Sequence, residues 1–172
     1  VLGQQPIKPV LAATGWYVAT TGNDSNSCSA PDQPCATING AIAKATAGNT
    51  IYIAAGTYIA NPLDTSVVQI AKNIVLLGGW NNSFLSQDGY SVIDGQKNKQ
   101  GIKIFESTII TIDKFIVENG LLANDTGGIS NYGTLTLNRS IIRRNTTTSS
   151  NFVGGIFNNG YLELNNNAIY EN

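Results

Sequence analysis

Two carboxylates stand where acid–base chemistry could be built. Asp94 closes the run Val92-Ile93-Asp94, and Asp113 closes Ile110-Thr111-Ile112-Asp113. Treating Ile93, Ile112, Leu137 and Leu164 as equivalent positions brings Asp94, Asp113, Asn138 and Asn165 to one corner of successive units. Neighbouring strands lie ~4.8 Å apart. Two carboxyl groups about 5 Å apart can act as nucleophile and acid in a retaining glycosidase. The competing reading is a ladder of turn residues, because Asx side chains cap corners and tolerate left-handed backbone angles. The ladder is the stronger reading, since the next two corner positions are Asn, which cannot transfer a proton. The chain has no His, so imidazole bases, His metal ligands and Ser-His-Asp arrangements are excluded.

The remaining chemistry-bearing residues are sparse. Arg139, Arg143 and Arg144 are the only arginines and lie in one unit. They could meet an anionic sugar, but a solvated outer face is preferred. Lys97, Lys99 and Lys103 read as an exposed loop. Trp80 with Phe84, and Tyr132 with Tyr161, could stack on sugar rings, although partial burial is the better expectation for each. No Asp cluster suggests calcium, so neither a metal nor a cofactor is expected. Cys28 and Cys35 flank a Ser-, Asp- and Pro-rich loop; their spacing matches no zinc pattern, and a loop disulfide is the better reading over free thiols. Asn23, Asn81, Asn124, Asn138 and Asn145 begin Asn-x-Ser/Thr sequons, acceptors only in a glycosylating host.

The elements that must hold these residues are visible as repeats. Residues 127–145, GGISNYGTLTLNRSIIRRN, recur at 154–172 as GGIFNNGYLELNNNAIYEN. Weaker copies precede them around Ile110–Asn119 and Ile74–Leu77. Alternation such as Leu135-Thr-Leu137 and Leu162-Glu-Leu164 turns one face inward. Gly and Asn at the breaks allow tight corners. One unit cannot bury its own apolar row, whereas stacked units bury a continuous core. The expected fold is all-β: a right-handed, single-stranded parallel β-helix of about five coils. Asn119, Asn145 and Asn172 are expected to stack at one turn and bond along the pile.

The first part differs. Trp16 to Thr20 alternates like a strand. In TINGAIAKAT (37–46), Ile38, Ala41, Ile42 and Ala45 share a helix face, with Thr37 as N-cap and Gly48-Asn49 as the stop. This helix is read as a lid on the first coil, whose edge would otherwise be bare. The divisions are therefore 1–15, an extended arm; 16–47, a cap; and 48–172, the coils. Nothing comparable to the helix closes the far end, which fits either a fragment of a longer β-helix or a subunit whose neighbour covers that end. In the arm, Ile7, Val10 and Leu11 are apolar anchors that could add a strand to a neighbour's open coil. A contact of that kind does not close and would build a filament; a disordered arm is the plainer expectation.

These residues also carry a resemblance. Trp16-Tyr-Val-Ala-Thr-Thr-Gly-Asn-Asp-Ser-Asn-Ser-Cys28, Pro34-Cys35-Ala-Thr-Ile38 and Gly48-Asn-Thr-Ile-Tyr-Ile-Ala-Ala-Gly-Thr-Tyr58 resemble the cap and first coil of pectin-lyase-like parallel β-helix proteins. Leu77-Gly-Gly-Trp-Asn-Asn-Ser-Phe84 resembles a coil insertion of exported bacterial members. The Gly-Gly-Ile and closing-Asn repeats resemble those of polymorphic outer membrane proteins and related adhesins. The resemblance covers about 16–172 and implies fold more than function, since that superfamily holds lyases, hydrolases and adhesins.

Composition narrows the classes. The 172 residues carry ten Lys+Arg against eleven Asp+Glu, a net charge of -1, so no basic nucleic-acid footprint is present. No apolar run approaches the ~18 residues of a membrane-spanning helix. Asn accounts for 21 residues, which suits a corner-rich solenoid. The chain begins at Val1, and Val1–Ala13 lack the blocks of a signal peptide. A mature chain whose leader is gone, or an imposed boundary, both fit. The functional expectation is a non-catalytic exported protein, extracellular or on a bacterial cell surface. It would be adhesin-like, or a filament subunit that self-associates through its uncapped C-terminal coil, with a glycan or host-surface ligand as a further partner. The alternatives are a carbohydrate-active enzyme using Asp94 and Asp113, and a sugar-binding module using its aromatics.

Overall fold

The computed structural model describes residues 15–172; Ile7, Val10 and Leu11 of the expected arm lie outside the described residues. The chain opens with β1 (Trp16–Val18) and α1 (Ile38–Lys44). The first coil holds β2 (Asn49–Ala54), β3 (Gly56–Tyr58) and β4 (Ser66–Ile70). The second holds β5 (Ile74–Trp80), β6 (Ser91–Asp94) and β7 (Gln100–Ile104). The third holds β8 (Ile109–Asp113), β9 (Phe115–Glu118), β10 (Leu121–Leu122) and β11 (Ile129–Asn131). The fourth holds β12 (Thr134–Asn138), β13 (Ile141–Arg143), β14 (Thr146–Thr147) and β15 (Ile156–Asn158). The last holds β16 (Tyr161–Asn165) and β17 (Ala168–Tyr170). Three faces result, with strand orders β1-β2-β5-β8-β12-β16, β3-β6-β9-β13-β17 and β4-β7-β11-β15, and β10 pairs with β14 beside them. Every strand–strand ladder is parallel. The expected parallel β-helix of about five coils is what the chain forms.

The core is built by register. On the first face Ile51, Leu76, Ile112, Leu137 and Leu164 lie one above the next. On the second, Tyr58, Ile93, Val117, Ile142 and Ile169 do the same. On the third the row is Val68, Ile102, Ile129 and Ile156. All but the last member of each row is buried. Each buried Ile or Leu contributes roughly 1.5–3 kcal/mol of transfer free energy. The repeated Gly-Gly steps are places of close backbone approach. A Cβ on Gly128 would stand 2.2 Å from the carbonyl oxygen of Gly155, and one on Gly120 would stand 1.9 Å from that of Gly127.

Corner geometry is more demanding than the Gly and Asn content suggests. Lys114, Arg139 and Asn166 follow β8, β12 and β16 with φ of 59°, 44° and 56°. Asn119, Arg144 and Glu171 follow β9, β13 and β17 with φ of 53°, 55° and 54°. Left-handed backbone costs an L-residue about 1 kcal/mol. It persists here because the ladders to neighbouring coils fix the strands that flank these corners.

The cap uses specific bonds. Thr37 accepts from the Gly40 amide at 2.9 Å as N-cap. Asp24 accepts from the Ala36 and Thr37 amides at 2.9 Å and from the Thr37 hydroxyl at 2.7 Å. Ile38, Ala41, Ile42 and Ala45 are buried, as their spacing requires. The helix stops at Ala45, before Gly48-Asn49, since Ala45 turns extended. There the Lys72 ammonium donates to the carbonyls of Ile42 and Ala45, both at 2.9 Å, satisfying acceptors that a helix end leaves open.

A disulfide joins Cys28 to Cys35. Its loop lies along the free side of β1. The Tyr17 amide donates to Cys28 O at 2.8 Å, the Cys35 amide to Tyr17 O at 2.8 Å, and the Ala19 amide to Cys35 O at 3.0 Å. The loop thus substitutes for a strand. Replacing both cysteines by serine is expected to cost about 2 kcal/mol, the entropy of a short closed loop. Chemical denaturation would measure the loss, and faster hydrogen exchange at the Tyr17 and Ala19 amides would locate it.

Candidate functional site

At the first corner Asp113, Asn138 and Asn165 are in register. Asp94 is not among them. It ends β6, on the second face, and pairs with Glu118; in the second coil Leu77 holds the position of Asp113. The alignment through Ile93 fails because Val92-Ile93-Asp94 imitates a first-face strand end while lying after the insertion 81–90. Asp94 caps its own turn instead. Its Oδ1 accepts from the Gln96 amide at 2.8 Å and from Asn119 Nδ2 at 3.1 Å. Asp113 is 5% exposed. Arg139 grips both of its oxygens, donating from Nε to Oδ1 at 2.8 Å and from Nη2 to Oδ2. This pairing raises the Arg139 pKa above its ordinary value, chiefly through the hydrogen bond and then the charge of Asp113. The carboxylate pair required for retaining chemistry is not assembled. Asn165 Nδ2 donates to Asn138 Oδ1 at 3.1 Å, extending the corner ladder by one rung.

At the second corner Asn145 and Asn172 stack, with Asn145 Nδ2 donating to Asn172 Oδ1 at 3.0 Å. Asn119 falls one residue earlier: Glu118 aligns with Arg143 and Tyr170, so Gly120 occupies the place that Asn145 and Asn172 fill above it. Asn145 is fully buried. It accepts from the Gly120 amide at 2.8 Å and donates to Val117 O at 2.9 Å. The arginines are engaged between coils, with Arg143 on Glu118 at 2.8 Å and Arg144 on Glu171 at 3.0 Å.

The aromatics divide differently from the expected pairs. Trp80 packs edge-on against Tyr52 at 5.3 Å between centroids, and Phe84 packs edge-on against Tyr17 at 5.0 Å. Tyr17 and Tyr52 stack, joining all four into one cluster. Phe84 is buried, so it offers no platform. Tyr132 lies beside Phe157, at 5.8 Å, and not beside Tyr161; in register Tyr161 stands over Thr134. Tyr161 is exposed on the last coil.

One polar cluster was not anticipated. Asp125 is nearly buried. Its Oδ1 accepts from the Ser130 hydroxyl and the Thr126 amide, both at 2.7 Å, and its Oδ2 pairs with Lys103 at 3.0 Å. Gln100 Nε2 donates to Ser130 Oγ and Thr126 O, both at 2.7 Å, and Ser66 donates to Gln100 Oε1 at 3.0 Å. Burial pushes the Asp125 carboxyl up, but the bonds from Ser130, Lys103 and Thr126 outweigh it and hold the pKa below the ordinary value. The Lys103 end borders a cleft of about 380 Å³ lined by Phe105, Glu106 and Tyr132. The available signal was Ser130 and Gln100, polar residues inside strands. Among the described residues no group of three His, Cys, Asp or Glu is placed to hold a metal.

No family model matches the chain, and no curated protein or solved structure matches it.

Two measurements follow from these bonds. Asn145→Ala should destabilise by about 2 kcal/mol, because it leaves the buried Gly120 amide and Val117 carbonyl without their partner; Asn151→Ala, at an exposed position, is the control in denaturant titration. Asp125 has a depressed folded-state pKa, so its contribution is complete above the unfolded value of ~3.9 and disappears as pH falls through the folded value. Asp125→Asn should therefore flatten the stability–pH curve below about pH 4, as followed by thermal melts across the acid range.

Proposed function

We propose that this chain is a non-catalytic, exported structural protein of the adhesin-like kind. The observation that carries the reading is the use of Asp113: Arg139 of the next coil takes both oxygens, and Asp94 stands on another face. A general acid must exchange a proton and a nucleophile must present a free lone pair. Asp113 is instead committed to joining coils, as are Glu118 to Arg143 and Glu171 to Arg144. The Cys28–Cys35 bond supports an oxidising location outside the cytosol. The resemblance to β-helix surface proteins supports the cell surface or extracellular space.

A sugar-binding reading is favoured by one observation, the cleft in which the exposed ring of Phe105 and the half-buried Tyr132 adjoin the charged Lys103 and Glu106. Glycan-array binding that disappears in Phe105→Ala would support it, and uniform silence would remove it.

The non-catalytic reading is tested by incubating the chain and its Asp113→Asn variant with a panel of acidic and neutral polysaccharides. Neither should release reducing ends or unsaturated products above the buffer control, while the variant should lose roughly 1–3 kcal/mol of stability through the weakened charged hydrogen bonds. Turnover by the parent chain that is abolished in Asp113→Asn would make the protein an enzyme.

A further inference from the structure

Resting on the sugar-binding reading of the cleft beside Phe105, we propose that its ligand is an uncharged pyranoside. One ring of a neutral glycan lays a C–H face on Phe105 and places its hydroxyls between Lys103 and Glu106. The cleft belongs to the middle of the stack. Phe105 follows β7 and Tyr132 follows β11, and these two strands lie between β4 and β15 on the third face. Register sets Asn131 over Ile104, so the two aromatic residues leave the same corner in successive coils. The Phe105 amide donates to Ile70 O at 2.9 Å and the Tyr132 amide to Ile104 O at 3.1 Å. The Thr108 hydroxyl donates to Phe105 O at 2.7 Å, and the Tyr132 ring packs against Phe157. This corner is set before a ligand arrives, which limits the ordering cost of binding. Its volume of about 380 Å³ falls at the small end of ligand sites and suits a single ring whose neighbours project into solvent.

Charge selects the class of ligand. Lys103 and Glu106 are the charged residues that line the cleft. Lys103 is paired from behind with Asp125 at 3.0 Å, and its side chain is still 30% exposed. Glu106 is exposed and pairs with no cation among the described residues. Two carboxylates therefore stand against one ammonium. A uronic acid or sulfated sugar would add a third anion, which must face Glu106 or compete with Asp125 for Lys103. Such like-charge juxtaposition rejects a ligand strongly. A cationic ligand meets the opposite obstacle. Lys103 Nζ already stands 5.9 Å from the centre of the Phe105 ring, where a foreign cation would sit. A wholly apolar ligand would take water from Lys103 and Glu106 and return no hydrogen bond. A neutral sugar meets all three conditions. An ammonium has three donors and a carboxylate only accepts. Lys103 gives one N–H to Asp125 and keeps others for a sugar oxygen, while Glu106 accepts from an adjacent hydroxyl. The C–H face of the same ring packs on the negative face of Phe105.

A glycan array carrying neutral pyranosides beside their uronic acid and sulfated counterparts tests this with the full chain. The expected result is binding to neutral glycans, tenfold or more weaker for the acidic counterparts, and unchanged between low and high salt because no net charge is exchanged. Phe105→Ala should abolish the signal. Glu106→Gln, on an exposed turn, should weaken it about tenfold, the loss of one hydrogen bond to a charged acceptor. Unchanged amide exchange in β7 and β11 would show that the coils of both variants remain folded. If either variant unfolds, shifts of the Phe105 and Tyr132 ring protons in the unaltered chain, on adding the neutral glycan bound most strongly on the array, decide the matter. Preference for acidic glycans that disappears in Phe105→Ala would overturn the neutral class and leave the sugar-binding reading standing. Silence across the array, or binding that survives Phe105→Ala, would overturn both.

Discussion

The whole molecule depends on the vertical pairing of one coil with the next. A strand of three to five residues has no independent stability. Here most of its N–H and C=O groups find partners in the strands directly above and below, at the fixed spacing of a parallel ladder. That spacing brings equivalent side chains together on every face. Isoleucine meets leucine inside, asparagine meets asparagine at the corners, and arginine meets glutamate outside. Apolar burial supplies the driving force, but the ladder decides which residue each side chain meets.

Left-handed corners illustrate how far the pile overrides local preference. Lys114, Arg139, Arg144 and Glu171 adopt a conformation usually left to Gly and Asn. Strand ladders fix the chain before and after Lys114, Arg139 and Arg144, so these corner residues have little freedom to relax. Arg139 and Arg144 also gain partners from this posture, reaching Asp113 in the coil below and Glu171 in the coil above. With few charged residues available, most of those named here act between coils.

The legible and illegible parts of the sequence separate along this line. The offset between Gly127-Gly128-Ile129 and Gly154-Gly155-Ile156 revealed the last two coils, and both pair as aligned. The helix face through Ile38, Ala41 and Ile42 was readable because 3.6-residue spacing is local. Asp94 was misplaced because the second coil carries the insertion 81–90, and a three-residue pattern cannot tell one face of a solenoid from another. Asn119 slipped by a single residue for the same reason: Gly120, with no side chain, holds the ladder position. Asp125 was missed because Lys103, which pairs with it, and Gln100, which holds its partner Ser130, come from the preceding coil. Their convergence is a property of register that composition does not record.

The insertion in the second coil has a mechanical consequence. In a one-dimensional stack each layer normally holds only its neighbours. Phe84, however, reaches past the first coil to Tyr17 in the layer of the cap, and Trp80 meets Tyr52 on the way. Three successive layers are thereby riveted into one block, which opens as a unit or not at all. The upper coils have ion pairs and asparagine rungs that join one layer to the next. Heat or force would therefore separate the upper coils, held only layer to layer, before it separates this block.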